Sequence, residues 1–318
     1  MLFGLILGFT PVAAQAEPIG GMPAKPLRIL VGFAAGGAID LTARVIAPKL
    51  GEALGQPVVV ESKPGASSNL ATELLVKSPP DGLTIFMGSY VNAVLPSTIR
   101  SLSYDPLKDL TPIGRVVTTA SVLLVANQSP LRSLDDLVAQ VKARPGQVSY
   151  SSSGTGSASH LAGNLLANRI GSAMLHVPYK GSPQQISDMI GGQVDVTFAV
   201  MSGALAQLNG GKARALGVTS PGRSRYLPEV PAIAESGFPG YEQLQWYALF
   251  GPPGMSPAVV ERLNREVMRV IQHPDVVKQF TTLGLDVAPS TSAELAELLK
   301  SEIASYSKIV RDAGIQPN

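Results

Sequence analysis

The chain has 318 residues, of which 45% are hydrophobic and 15% are charged, and its formal net charge is +2. This length suits two domains of about 100–150 residues, and the balance of apolar to charged residues excludes a largely disordered chain. The near-neutral charge, without a cluster of Lys and Arg, argues against a nucleic-acid partner. Cysteine is absent, which excludes disulfides, thiol nucleophiles and thiolate metal sites.

The N-terminus has the pattern of a secretory signal peptide. Residues 2–9 form a short apolar run that Pro11 ends, and Ala14-Gln15-Ala16 supplies a small-x-small cleavage pattern before Glu17. The run is too short to span a bilayer. We therefore predict that residues 1–16 are a signal peptide and that the protein is exported to the periplasm. No Lys or Arg precedes Lys25, so a true start upstream of Met1 and a buried N-terminal helix remain open alternatives.

After Pro26 the sequence alternates between short β-rich runs and amphipathic helical segments. The predicted strands cover 27–33, 58–61, 83–87, 121–126, 147–151, 175–179, 195–200, 213–219 and 243–250. The predicted helices cover 38–54, 69–77, a segment between the N-cap Ser133 and Pro145, 159–170, 183–190, 257–271 and a segment from Ser292 to before Gly314. This alternation predicts an α/β fold with mostly parallel sheets that helices cover on both faces.

The last hundred residues are mainly helical and predict how the two lobes are joined. Two helices with apolar faces cannot form their own core, so they must dock on the sheet of the first lobe. We predict a first lobe at 17–121, a second lobe at 122–225 and a return to the first lobe at 226–318. Two α/β lobes joined by crossover hinge strands enclose a cleft that can close on a ligand.

Two glycine-rich turns between a strand and a helix carry the predicted chemistry. Residues 34–40 follow the first strand, and residues 152–160 follow the strand at 147–151. Glycines let the backbone approach a ligand closely, and the free N–H groups at the start of the next helix favour an anion. One such turn in each lobe, at the carboxyl end of its strand, would bind the same anion from opposite sides.

Other ligands are disfavoured by spacing. None of His160, His176 and His273 has a second metal ligand at helical or hairpin spacing. The Gly154-x-Gly156 pair lacks the third glycine of a dinucleotide fingerprint, and no GxxxxGK[ST] phosphate loop is present. We therefore expect neither a metal nor a cofactor.

The sequence around the first turn, from Leu30 to Asp40, resembles the V-P-F-x-A-G-G-x-x-D opening of the Bug family. Members of this family are the substrate-binding proteins of tripartite tricarboxylate transporters. Further matching segments follow in order at 54–61, 63–66, 80–84, 153–157 with His160-Leu161, 177–181, 191–195 and 251–254. The chain departs from the family at Gly32, where proline is usual, and at Ser67-Ser68, where glycines are commoner.

The resemblance implies a type II periplasmic-binding-protein fold and a small organic mono-, di- or tricarboxylate as ligand. It implies that the carboxylate is held by backbone and hydroxyl groups at 34–40 and 153–157 and that membrane transporter subunits are partners. From the net charge we expect no nucleic-acid partner. We expect a monomer. The candidate ligand-binding residues are Phe33, Ala34, Ala35, Gly36, Gly37, Asp40, Asn69, Ser89, Ser153, Gly154, Thr155, Gly156, Ser157, His160, Tyr179 and Asp195.

Several of these residues have a structural alternative. Phe33 either walls the pocket or ends the core of its strand, and Asp40 either meets the ligand or stabilises the first helical turn. Asn69 either caps its helix or donates to the ligand, and His160 is expected to be neutral at the start of a helix. Trp246, the single tryptophan, either lines the cleft or packs under the helix at 257–271.

Two other functions remain open from the residues alone. Ser157 and His160 could form the dyad of an α/β hydrolase or transferase, although the G-x-S-x-G nucleophile elbow is missing. A pair of binding lobes could also serve as a ligand sensor in a signalling system. The export signal and the two opposed turns favour a binding protein that is not an enzyme and has no catalytic residues.

Overall fold

The structure of the protein is a computed structural model that describes residues 25–179 and 181–312. The predicted signal peptide lies outside these residues. The first elements are β1 (Leu27–Val31), α1 (Ala38–Leu54), β2 (Val58–Ser62), α2 (Asn69–Val76), β3 (Thr84–Ser89), α3 (Val91–Thr98), α4 (Pro106–Asp109) and β4 (Thr111–Ala126). The next are α5 (Leu134–Ala143), β5 (Ser149–Ser152), α6 (Ala158–Ile170), β6 (Leu175–Pro178), α7 (Ser182–Ile190), β7 (Val196–Val200), α8 (Met201–Asn209) and β8 (Ala213–Val218). The last are β9 (Leu244–Gly251), α9 (Pro257–Ile271), α10 (Pro274–Thr282), β10 (Asp286–Val287) and α11 (Ser292–Asp312).

The strands form two lobes that share β4. In the first lobe β2, β1 and β3 are parallel, and β9 and then the first part of β4 continue the sheet in antiparallel pairs. In the second lobe β6, β5 and β7 are parallel, and the last part of β4 lies between β7 and β8. Each lobe therefore has the same strand order. The fourth strand is the one that enters from the other lobe, which is β9 in the first lobe and β4 in the second.

Helices cover both faces of the first sheet, as the alternation predicts. Ile29 of β1 packs with Leu50 of α1 and Leu263 of α9, whereas its neighbour Leu30 packs on the opposite face with Leu299 of α11. Successive residues of a strand point to opposite faces, so a buried parallel strand needs apolar residues at every position. This requirement explains the apolar run at 29–31, whereas Arg28, near the start of β1, is exposed.

Local capping signals place several helices where the sequence predicts them. The Ser133 hydroxyl accepts a hydrogen bond from the backbone N–H of Asp136 at 3.1 Å, and Asp136 accepts one from the N–H of Ser133 at 3.0 Å. Ser256 caps α9, with Pro257 in the first turn. These reciprocal bonds satisfy N–H groups that have no partner inside the helix.

The return to the first lobe differs from the predicted boundary at 226. Ile233, Phe238 and Tyr241 pack in the core of the second lobe, and the Tyr241 hydroxyl donates to the carbonyl oxygen of Ala162 in α6 at 2.9 Å. The first strand that rejoins the first lobe is β9. The apolar side chains between 226 and 243 pack against the core of the second lobe, so this segment belongs to that lobe.

Three helices rather than two follow β9 in the described chain, because α10 separates α9 from α11. Trp246 lies on β9 against α11, and its indole N–H donates to a carboxylate oxygen of Glu302 at 2.6 Å. It packs neither under α9 nor in the cleft at the second glycine-rich turn. Within 25–179 and 181–312, no helix combines the length and the apolar character needed to cross a membrane.

Candidate ligand-binding site between the lobes

A cavity of about 160 Å³ lies between the two lobes at the carboxyl ends of β1 and β5. Its lining residues are Phe33, Ser67, Tyr90, Val91, Val94, Leu95 and Thr98 from the first lobe and Ser153, Gly154, Thr155, Gly156 and Ser157 from the second. None of these residues carries a charge. A larger groove of about 750 Å³ between α1 and β2 is open to solvent and belongs to the first lobe alone.

The second glycine-rich turn forms the polar wall of this cavity. Gly154 and Gly156 have φ angles of +136° and +78°, which residues with a side chain rarely adopt. A Cβ added at Gly156 would point towards α3, 3.6 Å from Val94 and 3.7 Å from Thr98. The turn therefore packs directly on the first lobe.

Most N–H groups of the second turn are already bonded within the chain, contrary to the predicted set of free donors. The N–H groups of Ser153, Gly154 and Gly156 donate to Ser159 Oγ, Ser152 Oγ and His160 Nδ1 at 3.0, 3.2 and 3.0 Å. Serine hydroxyls and an imidazole supply these acceptors from the turn's own sequence. Thr155 N–H keeps no partner among the described residues and is the backbone donor left at the cavity.

The N-terminus of α6 is capped from both lobes. Ser157 Oγ accepts a hydrogen bond from the N–H of His160 at 3.4 Å, and the Tyr90 hydroxyl accepts one from the N–H of Ala158 at 2.8 Å. Tyr90 belongs to the first lobe, directly after β3. The phenol therefore occupies a helix terminus at which the sequence predicted a ligand anion.

The first turn is exposed and differs from the second in its helix terminus. Gly36 has a φ of +82°, and α1 has no side-chain cap. The N–H groups of Ala38, Ile39 and Asp40 have no partner among the described residues. Phe33, directly before this turn, lines the cavity, but none of residues 34–40 does, and residues 34–37 are exposed to solvent. Three backbone donors thus remain free at the start of α1, directly after the exposed residues of the turn.

Asp40 stabilises the first turn rather than lining the cavity. Its buried carboxylate accepts hydrogen bonds from Gly36 N–H at 2.9 Å, from Ser62 Oγ at 2.8 Å and from both Nε and Nη2 of Arg44. Burial alone would raise the pKa of Asp40, but the bonds from Arg44, Gly36 and Ser62 together hold the pKa below its usual value. The carboxylate is therefore ionised at neutral pH.

His160 lies behind the second turn in an aromatic stack. Its ring packs against His176 and Tyr150, with the His160 and His176 centroids 3.9 Å apart. Burial, reinforced by the neighbouring His176, lowers the pKa of His160 to about 4, and burial lowers the pKa of His176 to about 4. His160 is therefore neutral, as predicted, and its Nδ1 fixes the N–H of Gly156.

Four other predicted residues make structural bonds outside the cavity. Asn69 Nδ2 donates to Glu73, and Ser89 Oγ accepts from the N–H of Val91 at the start of α3. Asp195 accepts from both the N–H and the hydroxyl of Ser149 at 2.7 Å. Burial and a hydrogen bond with Asp188 raise the pKa of Tyr179, whose side chain packs in the second lobe. Each has an intramolecular partner that the spacing in the sequence did not reveal.

The segment at 66–68 approaches the cavity in an unusual conformation. Ala66, Ser67 and Ser68 have φ angles of +45°, +53° and +76°, although none is glycine. Ser67 lines the cavity, and Ser68 is buried beside Gly32, where a Cβ would lie 1.8 Å from Ser68 Oγ. Left-handed backbone at a non-glycine residue costs about 1–2 kcal/mol. Gly32 leaves the space that the side chain of Ser68 fills.

Tyr90 and the apolar wall formed by α3 were not predicted from the sequence. The segment at 91–98 contains Pro96 and is only eight residues long, so its helical periodicity is weak. Tyr90 directly follows the predicted residue Ser89 at the end of β3, and that position was the one available signal. Its contact with Ala158 joins residues 68 positions apart.

The polar groups at this site suit binding rather than catalysis. Ser157 Oγ donates to the carbonyl oxygen of Gly154 at 2.6 Å, whereas His160 Nδ1 accepts from Gly156, so the two side chains do not form a dyad. Among the described residues, no group of three or more His, Asp or Glu side chains is arranged to hold a metal ion.

A family model described as the tripartite tricarboxylate transporter family receptor matches residues 42–315. The chain belongs to this family. The UPF0065 protein in the tcbD-tcbE intergenic region of Pseudomonas sp. (strain P51) is 37% identical to the receptor over 319 residues, covering 100% of this chain and 95% of the relative. Protein BugT of Bordetella pertussis is 35% identical over 317 residues, covering 98% and 97%.

Solved structures agree with this assignment. R. palustris Rpa4515 with adipate superimposes with a TM-score of 0.84 at 31% identity, covering 93% of the receptor and 99% of that chain. MatC from Rhodopseudomonas palustris with bound malate gives a TM-score of 0.77 at 29% identity, covering 91% and 100%. The predicted periplasmic-binding-protein fold and Bug-type family are confirmed. The receptor is a solute-binding protein and not an enzyme, so the hydrolase or transferase alternative is not supported.

Proposed function

We propose that the receptor captures a small organic carboxylate in the interlobe cavity and delivers it to the membrane subunits of a tripartite transporter. The observation that carries the proposal is the cavity itself, which both lobes line with neutral hydroxyl and backbone groups on one side and apolar side chains on the other. We propose that the receptor acts in the periplasm, as a monomer, after removal of residues 1–16.

The size and the chemistry of the cavity support a mono-, di- or tricarboxylate of small volume. At about 160 Å³ it is smaller than sites for drug-sized ligands, which span about 300–1,000 Å³. A charge-assisted hydrogen bond contributes about 1.5–3 kcal/mol. About four such bonds, less the cost of ordering, reach micromolar affinity, or about −8 kcal/mol. Donors without charge also permit release of the ligand.

Closure of the lobes on the ligand follows from where the chain crosses between them. The chain crosses between the lobes twice, near Ser121 in β4 and near Gln243 before β9. Thr219 bonds to both, because its hydroxyl donates to Gln243 O at 2.6 Å and accepts from Ser121 N–H at 2.8 Å. We propose that the predicted lobes rotate about this point, near 121 and 243. A ligand that contacts both lobes then favours the closed state.

A thermal-shift screen of small organic acids tests the proposal. At about 100 times its dissociation constant, an acid should stabilise the receptor by about 2.7 kcal/mol and raise its Tm, while the matching neutral amide should have a smaller effect. Val94→Phe, which fills the cavity, should abolish the shift. Val59→Phe, in the open groove between α1 and β2, should preserve it. A screen in which no acid raises Tm would contradict the proposal.

A further inference from the structure

Tyr90 links the two lobes through a single hydrogen bond. The residue lies between β3 and α3 in the first lobe and is 6% exposed, and its hydroxyl accepts from the N–H of Ala158 in the second lobe at 2.8 Å. Ala158 is the first residue of α6, directly after the turn at 153–157 that lines the cavity. Tyr90 itself lines the same cavity.

The proton of this phenol has no acceptor among the described residues. A tyrosine hydroxyl can accept hydrogen bonds and donate one, and here only an accepted bond is formed. Burial raises the pKa of Tyr90 to about 12, so the hydroxyl keeps its proton at neutral pH. Because buried donors are nearly always satisfied, a buried O–H beside a cavity calls for an acceptor in that cavity.

We propose that the Tyr90 hydroxyl donates to the ligand carboxylate while it accepts from Ala158, so that ligand, phenol and α6 form one chain of hydrogen bonds between the lobes. The inference rests on the proposed function, in which the ligand is a carboxylate. Most N–H groups of the second turn are bonded internally, so the phenol transmits the positive end of the α6 dipole to the ligand. Accepting a hydrogen bond also strengthens the phenol as a donor.

The location of the donor also distinguishes Tyr90 from Tyr241, another buried tyrosine that contacts α6. The Tyr241 hydroxyl donates to Ala162 O at 2.9 Å, but Tyr241 lies in the core of the second lobe and does not line the cavity. Removing either hydroxyl takes one hydrogen bond from the same helix. Only the loss at Tyr90 removes a donor from the ligand.

Isothermal titration of the purified receptor with adipate, malate and hexanoate tests the inference. Tyr90→Phe should weaken binding of an acid that the wild type binds by about 10-fold to 100-fold, as expected for one charge-assisted hydrogen bond. Tyr241→Phe should bind the same acid within about twofold of the wild type. Both variants keep the aromatic ring, so their folds should be preserved, and circular dichroism checks this.

The amide of each acid separates a donor from a purely structural contact. If Tyr90 only held the lobes together, Tyr90→Phe would weaken binding of the acid and binding of its amide by the same factor. If Tyr90 donates to the carboxylate, Tyr90→Phe should weaken binding of the acid more than binding of its amide, because hydrogen bonds to charged acceptors are stronger. Equal losses, or no loss for the acid, would overturn the inference and leave the proposed function intact. A wild type that binds none of the acids would overturn the proposed function and this inference with it.

Discussion

The imidazole rings of His160 and His176 lie face to face behind the cavity turn, with centroids 3.9 Å apart and planes 7° from parallel. His160 Nδ1 accepts from the N–H of Gly156, and His176 Nε2 lies 2.7 Å from Ser152 Oγ. The pair thus holds the two ends of the turn. Two cations at this distance would repel each other, so the arrangement requires neutral rings.

Acidification should destabilise the receptor through this pair. The unfolded chain protonates histidine near pH 6.5, whereas burial lowers the folded pKa of His160 and His176 to about 4. The unfolded state therefore binds more protons between these values, and the free energy of unfolding should fall as pH drops from about 6.5 to about 4. Urea unfolding at pH 7, 6 and 5 measures this decline.

A pair of histidine variants controls this experiment. His176→Phe keeps an aromatic ring in the stack and removes one titrating group, so its decline should be shallower than that of the wild type. His273→Gln changes the N-cap of α10, outside the stack, and should leave the decline unchanged. A His176→Phe decline as steep as that of the wild type would exclude the pair as its cause.

Glu302 should give the opposite pH dependence. Burial raises its pKa to about 7 although Trp246 donates to it, so the folded state binds more protons than the unfolded state between about pH 4.5 and 7. The stability from Glu302 is present below pH 4.5 and is lost as pH rises through 7. Glu302→Gln should therefore gain stability relative to the wild type between pH 5.5 and pH 8.5, measured by urea unfolding.

The fluorescence of Trp246, the single tryptophan, reports on the same proton. Wild-type emission should titrate near pH 7, because the charge on Glu302 changes beside the indole. Glu302→Gln should remove this transition. A titration that persists in the variant would assign it to another group.

The two adjacent glycines of the first turn should respond differently to substitution. Gly36 has a φ of +82°, whereas Gly37 has a φ of −74°, which any residue adopts. Gly36→Ala should lower the free energy of unfolding by about 1–2 kcal/mol. Gly37→Ala places a Cβ 3.3 Å from Ala34 O and should cost less. Equal losses in chemical denaturation would show that backbone conformation does not distinguish the two positions.

Gly32 and Ser68 should be energetically coupled. A Cβ at position 32 would lie 1.8 Å from Ser68 Oγ and 2.7 Å from Ser68 Cα, so Gly32→Ala should cost about 1–3 kcal/mol by overpacking. Ser68→Gly alone should stabilise the left-handed turn. In the double variant it should recover only part of the loss, because the Cα of residue 68 remains close. A double-mutant cycle in urea measures the coupling, and strict additivity would exclude it.

Local patterns predicted much of the fold. The helix at 38–54 and the capping box of Ser133 and Asp136 agree with the structure, because apolar periodicity and caps depend on neighbouring residues. The prediction covered only the last part of β4, at 121–126. Its first part at 111–120 pairs with β9 more than 120 residues away, and local sequence patterns cannot predict such a distant pairing.

The candidate site was predicted less completely, for a related reason. The glycine-rich turn at 153–157 could be recognised because its backbone geometry needs glycine. The N–H groups of this turn donate to Ser159, Ser152 and His160. These residues lie close to the turn in the sequence, but whether they accept those hydrogen bonds depends on how the turn folds. The bond from Ala158 to Tyr90 depends on the contact between lobes.

The sharing of β4 between the two sheets limits how the chain can be divided. Residues 111–120 pair with β9 of the first lobe, and residues 121–126 lie between β7 and β8 of the second. A cut anywhere in this strand would separate residues of 111–120 from β9, their partner in the first sheet, because β9 follows the second lobe in the chain. The halves are therefore not independent modules, and exchange of whole lobes between related receptors would succeed only if the donor supplied a matching continuous strand.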